Sequence, residues 1–101
     1  MTQEEAGPLL DELRAQIDVV DRDIVRLLNE RMRVVEEIGR VKLLTGLPIY
    51  EPKRESEVFA NVIASNGGPL PADGLRRVFE RIIDEARTVQ RTRMKSDGGK
   101  P

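Results

Sequence analysis

Two polar residues stand in positions where the surrounding pattern is apolar, which makes them the first candidates for chemistry. Arg31 interrupts a series of apolar residues that recur every three or four positions from Leu10 to Val41. Gln90 continues an apolar stripe that begins at Phe79 and steps by four, three and four residues. A core-facing amide must be hydrogen-bonded, and burying a guanidinium costs free energy unless anions meet it. Arg31 therefore indicates an internal ion pair, a side chain that extends to solvent at the seam edge, or a cavity that holds an anionic ligand.

Lys42 lies on the same helical face as Arg31. A separation of eleven residues brings the two side chains to within about 20° around the helix and places them roughly 16 Å apart along it. Two long cationic side chains leaning across this gap leave room for a small carboxylated molecule. A lone lysine near a helix end is ordinarily explained by the helix dipole, so the pairing with Arg31 is what favours a ligand site. Arg14 is about 25 Å from Arg31 along the helix and could approach it only in an antiparallel copy of the chain.

The composition excludes several classes of function. The 101 residues contain no histidine and no cysteine, which removes the Ser-His-Asp triad, thiolate nucleophiles and most transition-metal sites. We therefore expect no transition-metal site. A net charge of -1 and an aromatic content of 3% do not fit a nucleic-acid-binding protein. No apolar run approaches the length of a membrane span and the first residues lack the apolar segment of a secretory signal, so a cytoplasmic location is expected.

The spacing of the apolar residues predicts three helices and no strands. A first helix from Leu9 to Thr45 contains no proline and a single glycine, and its apolar seam lasts more than four heptads. Glycine and proline then mark a loop, and a second helix is predicted from Pro52 to Ser65. A third helix is predicted from Ala72 to about Arg93. No segment alternates with a period of two, so the fold class is all-α.

The length of the first helix has a consequence for assembly. A helix of this kind cannot bury its apolar seam against itself. The two shorter helices together are about as long as the first helix and could fold back along it, but they leave part of the seam uncovered. We therefore predict a three-helix protomer with one very long N-terminal helix, intertwined as a homodimer. Residues 9–94 are expected to form the helical domain, residues 1–8 a disordered N-terminus and residues 95–101 a flexible tail.

Five fragments at characteristic spacings resemble the all-helical class of chorismate mutases. The resemblance extends over about residues 9–92, and the fragments that carry it are Leu13–Asp21, Leu28–Arg31, Ile38–Lys42, Glu51–Glu55 and the stretch that ends at Gln90. The resemblance implies a three-helix protomer that interlocks as a dimer with two active sites. It also implies conversion of chorismate to prephenate, an isomerisation in phenylalanine and tyrosine biosynthesis that needs no metal and no cofactor.

The resemblance assigns a role to each cation of the first helix. Arg14 is similar to an arginine that reaches a substrate carboxylate from the partner subunit, and Arg31 to one that binds a carboxylate within its own subunit. Lys42 is similar to a lysine that contacts both a carboxylate and the ether oxygen. Gln90 falls where the family has an amide or an acid facing that ether oxygen. Lys42, Gln90 and Arg31 are therefore the expected catalytic residues.

The start of the second helix supplies the rest of the expected substrate-binding set. Glu51 falls where the family commonly has aspartate, near the substrate hydroxyl, and Glu55 falls on a glutamate that contacts the same hydroxyl. Arg54 is similar to a further arginine of the pocket. Two residues depart from the family pattern: Glu51 is one methylene longer than aspartate, and Ala86 replaces a serine of some members.

Two other functions remain open at this point. An isochorismate pyruvate lyase shares the fold and would keep the same cations, although the acidic turn from Glu51 to Glu55 favours the mutase. A non-catalytic helical dimer that binds a partner or an effector would instead neutralise Arg31 internally. The sequence leaves open whether the chain works alone or with a larger shikimate-pathway enzyme.

Overall fold

The computed structural model describes the backbone of residues 1–98 and the side chains of residues 1–95. Three helices follow one another along the chain: α1 (Gln3–Thr45), α2 (Pro52–Ser65) and α3 (Ala72–Gly98). No strand occurs within residues 1–98. The all-α prediction is confirmed.

Helix α1 begins earlier than its apolar pattern predicts. The hydroxyl of Thr2 accepts a hydrogen bond from the backbone N–H of Glu5 at 3.1 Å, and acidic residues occupy the first turn. This cap satisfies a backbone donor that would otherwise lack a partner, and acids at a helix start complement its dipole. The helix therefore runs through Pro8, and the expectation of disorder is wrong for residues 3–8.

The end of α1 is set by a glycine. Gly46 has a φ of +71°, in the left-handed region that side chains disfavour, and the N–H of Leu47 donates to the carbonyl of Lys42 at 3.0 Å. This is the hydrogen bond of a Schellman cap, which ends a helix and reverses the chain. The turn is what brings the following loop back over the last turn of α1.

The two shorter helices begin where the sequence predicts. Proline occupies the first position of α2, where its missing N–H has no cost, and α2 spans the predicted residues. Helix α3 starts at Ala72 but continues to Gly98, so residues 95–98 of the expected tail are helical. The remainder of that tail, residues 99–101, lies outside the described residues.

The chain divides into two compact units, of which the first is residues 1–33 and the second begins at Val34. In the second unit α2 packs on α3, and the buried apolar side chains are Val35, Ile83 and Ala86. A cavity of about 330 Å³ lies where α2 ends and α3 begins, but none of the residues that line it belongs to the predicted site.

The first unit consists of the N-terminal part of α1, and its apolar seam faces solvent. The seam side chains are 45% to 57% exposed at Leu10, Leu13, Ile17, Val20, Ile24 and Leu27. Isolated exposed apolar residues are common on protein surfaces, whereas a continuous stripe of them indicates an interaction site. As for membranes, none of the described helices combines the length and apolar character needed to cross a bilayer.

Candidate active site

Among the described residues of the second unit, Lys42 is the most deeply buried charged residue, with 7% of its side chain exposed. Its ammonium donates to the carbonyl of Ile49 at 3.0 Å and to Oε1 of Gln90 at 3.0 Å. A third acceptor, Oε1 of Glu51, lies 2.6 Å from the same nitrogen. An ammonium carries three protons, so the three acceptors account for all of them. The burial of this charge is therefore compensated within the protein.

Three separate elements meet at this site. Lys42 lies in the last turn of α1, where a cation also complements the helix dipole. Ile49 and Glu51 belong to the loop that the Gly46 turn directs back over that helix end. Gln90 comes from α3. The site is thus held by one ion pair and two hydrogen bonds that converge on a single nitrogen.

Gln90 faces the core and is hydrogen-bonded, as its position in the apolar stripe predicts. It is 9% exposed, and its amide oxygen accepts the hydrogen bond from Lys42. The donor end of the amide, Nε2, is therefore directed away from the lysine and can serve another acceptor. The amide nitrogen of Gln90 and the ammonium of Lys42 are therefore neighbours in the site.

Gly39 permits the close approach of α1 to α3 at this point. A Cβ built on Gly39 would lie 3.4 Å from Cα of Gln90 and 3.5 Å from its Cγ. Those distances correspond to van der Waals contact, so a single methyl group fills the available space. A larger side chain would have to displace Gln90 and with it the hydrogen bond to Lys42.

Glu55 is held by an arginine of α3, Arg87. Its carboxylate oxygen Oε2 accepts a hydrogen bond from Nε of Arg87 at 3.0 Å, and Oε1 accepts one from a terminal N–H of the same guanidinium. A second terminal N–H of Arg87 donates to Oδ1 of Asp84 at 2.8 Å. The hydrogen bond to Glu55 raises the pKa of Arg87 above its usual value, helped by the nearby negative charges and opposed by burial. The arginine therefore stays charged at any working pH.

Sequence reasoning missed Arg87, although a signal for it is present. It lies four residues after Ile83 and three before Gln90, which places a cation on the apolar face of α3. The same argument that singles out Arg31 applies to it. Asp84, three residues earlier, hides this signal. An arginine at that spacing is sufficiently explained by an exposed ion pair with Asp84 within α3, so the sequence gives no reason to expect a contact with another helix.

The other expected residues are more exposed. Arg54 lies 3.4 Å from Glu57 on the solvent side of α2. In the first unit Arg14 lies 3.7 Å from Asp11 and both are mostly exposed, whereas Arg31 is partly buried. Of the seven expected site residues, the structure brings Lys42, Glu51 and Gln90 into direct contact, and their roles toward a substrate stay predictions.

Comparison with known families gives a clear result. The model of the family "chorismate mutase type II" matches residues 13–91, which is most of the chain. The chain belongs to this family. The resemblance noted from five sequence fragments is thereby confirmed.

Solved structures of chorismate mutases share the fold. The form II structure of chorismate mutase from Thermus thermophilus is 43% identical to this chain, with a TM-score of 0.79, covering 81% of this chain and 93% of that one. Chorismate mutase from Helicobacter pylori, solved in complex with prephenate, is 30% identical with a TM-score of 0.80, covering 87% and 96%. The all-helical architecture is therefore that of chorismate mutases of similar length.

Curated relatives of the family are longer proteins. The bifunctional chorismate mutase/prephenate dehydratase of Aquifex aeolicus is 37% identical over 86 residues, which make up 81% of this chain but 24% of that protein. The chain thus spans about a quarter of the length of the curated relatives it matches.

Proposed function

We propose that the chain catalyses the rearrangement of chorismate to prephenate. The observation that carries this proposal is the buried contact between the Lys42 ammonium and the Gln90 amide, in a chain of the chorismate mutase family. In this pericyclic reaction the ether C–O bond breaks as a C–C bond forms, with no proton transfer and no covalent enzyme intermediate. A site of cations and an amide is therefore sufficient chemistry.

Stabilisation of charge is the main task of such a site. Negative charge grows on the ether oxygen as the C–O bond breaks, and Nε2 of Gln90 can donate to this oxygen. When Glu51 is displaced, the ammonium proton that faced it can be shared between the ether oxygen and a substrate carboxylate. A donor that is preorganised for the developing charge lowers the activation barrier by about 3 kcal/mol. Because Lys42 fixes the amide oxygen of Gln90, the amide needs no reorientation before it donates.

Binding must also hold the flexible substrate in its compact reactive conformer. Of the three acceptors around Lys42, the carboxylate of Glu51 is the most accessible, with 47% of its side chain exposed. We propose that a substrate carboxylate takes its place at the ammonium, and that Glu51 and Glu55 then contact the substrate hydroxyl. Arg31 and Arg54 are proposed to bind the carboxylates, together with Arg14 of a second subunit.

The test of this function is direct. Incubation with chorismate should give loss of its ultraviolet absorbance and formation of prephenate. An isochorismate pyruvate lyase would instead release pyruvate from isochorismate and leave chorismate intact, and a binding protein would change neither compound. Absence of prephenate formation by a folded protein would refute the proposed activity.

We further propose that the chain functions as a homodimer whose sites use both subunits. The exposed apolar seam of the first unit is the surface that a second copy would cover, as antiparallel pairing would bring Arg14 of one chain toward Arg31 of the other. This arrangement explains why two cations on one helix, about 25 Å apart, can serve the same ligand.

The shared site predicts recovery of activity on mixing two inactive variants. Arg14→Ala and Arg31→Ala homodimers should each lose activity, since every site lacks one cation. A heterodimer would hold one site with both changes and one intact site, so random exchange should restore about a quarter of wild-type kcat. The mixture is assayed before and after exchange of labelled subunits. Exchange without recovery would contradict the shared site.

A second prediction concerns the packing of Gly39 against Gln90. Gly39→Val should lower kcat by at least about tenfold, because overpacking displaces the amide from its productive position. Gly39→Ala should keep most of the activity, since one methyl group fits at van der Waals distance. Gly7→Val is the control for valine in the same helix, as nothing lies within 4 Å of a Cβ there. An unchanged kcat in Gly39→Val would show that this contact does not position Gln90.

The wider setting follows from the same family. Because relatives fuse a chorismate mutase to a prephenate dehydratase, we propose that the chain works in the shikimate pathway beside a larger enzyme that consumes its product. A cytoplasmic location, expected from the sequence, suits that role.

A further inference from the structure

The ion pair between Arg87 and Glu55 differs from most other ion pairs among the described residues of the second unit. Most of those join neighbours on one exposed helix face, such as Arg81 with Glu85 at 2.8 Å. Arg87 and Glu55 instead connect α3 to α2, and their side chains are only 27% and 20% exposed. The electrostatic attraction within such a pair is stronger than within an exposed one, because water screens it less.

The guanidinium binds both oxygens of the Glu55 carboxylate and is itself held from other sides. Asp84 accepts a third N–H, and the guanidinium carbon lies 5.9 Å from the centre of the Tyr50 ring. Tyr50 precedes Glu51, whose carboxylate contacts Lys42. Arg87 is thus anchored between α2, α3 and the loop that completes the Lys42 site.

We propose that Arg87 is a positioning residue that fixes the Glu55 carboxylate as the acceptor for the ring hydroxyl of the substrate. This inference rests on the proposed function. A bidentate fork sets both the position and the plane of a carboxylate, which a single hydrogen bond does not. Each carboxylate oxygen keeps a second lone pair, so the hydroxyl can donate to an oxygen that Arg87 already holds.

Fixing Glu55 in advance affects recognition of the hydroxyl group. A free glutamate loses rotamer entropy when it binds a ligand, whereas a clamped one has lost it on folding. The benefit is specific to substrates that carry the hydroxyl. Loss of the clamp should therefore lower kcat/KM for chorismate and leave an analogue without the hydroxyl unaffected.

The experiment compares two substrates with the same set of proteins. We would measure kcat and KM for chorismate, and for its analogue with hydrogen in place of the ring hydroxyl, in the wild type, Arg87→Met and Arg87→Lys. Arg81→Met is the matched control, since it removes a cation from the exposed face of the same helix. Thermal melts of each variant report folding separately.

The proposal predicts a loss of about tenfold in kcat/KM of Arg87→Met for chorismate, mainly through KM, with the value for the analogue unchanged. The kcat/KM of Arg87→Lys for chorismate should lie between those of the wild type and Arg87→Met, because lysine keeps the positive charge but cannot bind both carboxylate oxygens in a fixed plane. Equal losses on both substrates would reduce Arg87 to a structural link, and no loss on either would also overturn the proposal. Inactive wild-type protein would refute the proposed function itself, whereas an active wild type with either pattern above refutes only the role of Arg87.

Discussion

Replacing Lys42 with methionine is expected to lower kcat/KM for chorismate by about a thousandfold, the upper range for loss of one preorganised donor. The change removes the ammonium that would face both a substrate carboxylate and the ether oxygen. It also leaves the amide of Gln90 without the donor that fixes its orientation. Methionine matches the length of the lysine stem, so the packing of the α1 end should be kept.

The control is Lys53→Met, which removes an exposed lysine near the start of α2. It should change kcat/KM by less than about twofold, as expected for a solvated surface charge. Circular dichroism of both variants establishes that the helices are intact. A folded Lys42→Met protein within tenfold of the wild type would show that the ammonium does not act on the reacting atoms.

The second large effect concerns the pH dependence created by Gln90→Glu. An ionised carboxylate at this position would face the developing charge on the ether oxygen and repel it. The protonated acid can donate a hydrogen bond instead, so kcat of the variant should rise as the pH falls. Lys42, 3.0 Å from the present amide oxygen, would lower the pKa of the introduced group, whereas burial would raise it. At neutral pH we expect a loss of about a hundredfold.

The wild type provides the comparison. The chain has no histidine, so no side chain has an ordinary pKa between about 5 and 8, and kcat should be nearly flat from about pH 5.5 to 8.5. Gln90→Leu, which removes the donor without adding an acid, should be impaired equally at every pH. A Gln90→Glu profile as flat as that of Gln90→Leu would argue against a donor role for this position.

The helix bounds could be predicted where local chemistry sets them. Pro52 is the first residue of α2 and Gly46 follows the last residue of α1, and each sets the helix end through its own backbone geometry. The start of α1 differs from the prediction because the apolar pattern begins only after Pro8, whereas Thr2 and Glu5 form the local signal of a capped helix start. Periodicity locates a helix better than it locates an end.

Site residues were predictable as types but not always as contacts. Gln90 stands out because an amide on an apolar stripe must find a partner, and the structure supplies Lys42. The pairing of Glu55 with Arg87 spans 32 residues and depends on how α2 lies on α3, which no local pattern encodes. The fit of Gly39 against Gln90 has the same origin, since a close approach of two helices is a tertiary property.

The contact between Glu51 and Lys42 bears on the energetics of ligand exchange. Because the protein's own carboxylate already sits 2.6 Å from the ammonium, an anion that binds there as we propose would displace one counter-ion rather than fill a vacant site. The buried cation would then be neutralised before binding, during the reaction and after release, and would avoid the large cost of an unpaired charge. The amount that this contact adds to the affinity is then the difference between two similar carboxylate contacts, one of them tethered. Exchange at Lys42 would therefore contribute little to the binding of substrate or product, and the tethered carboxylate would be in place to replace the product as it leaves.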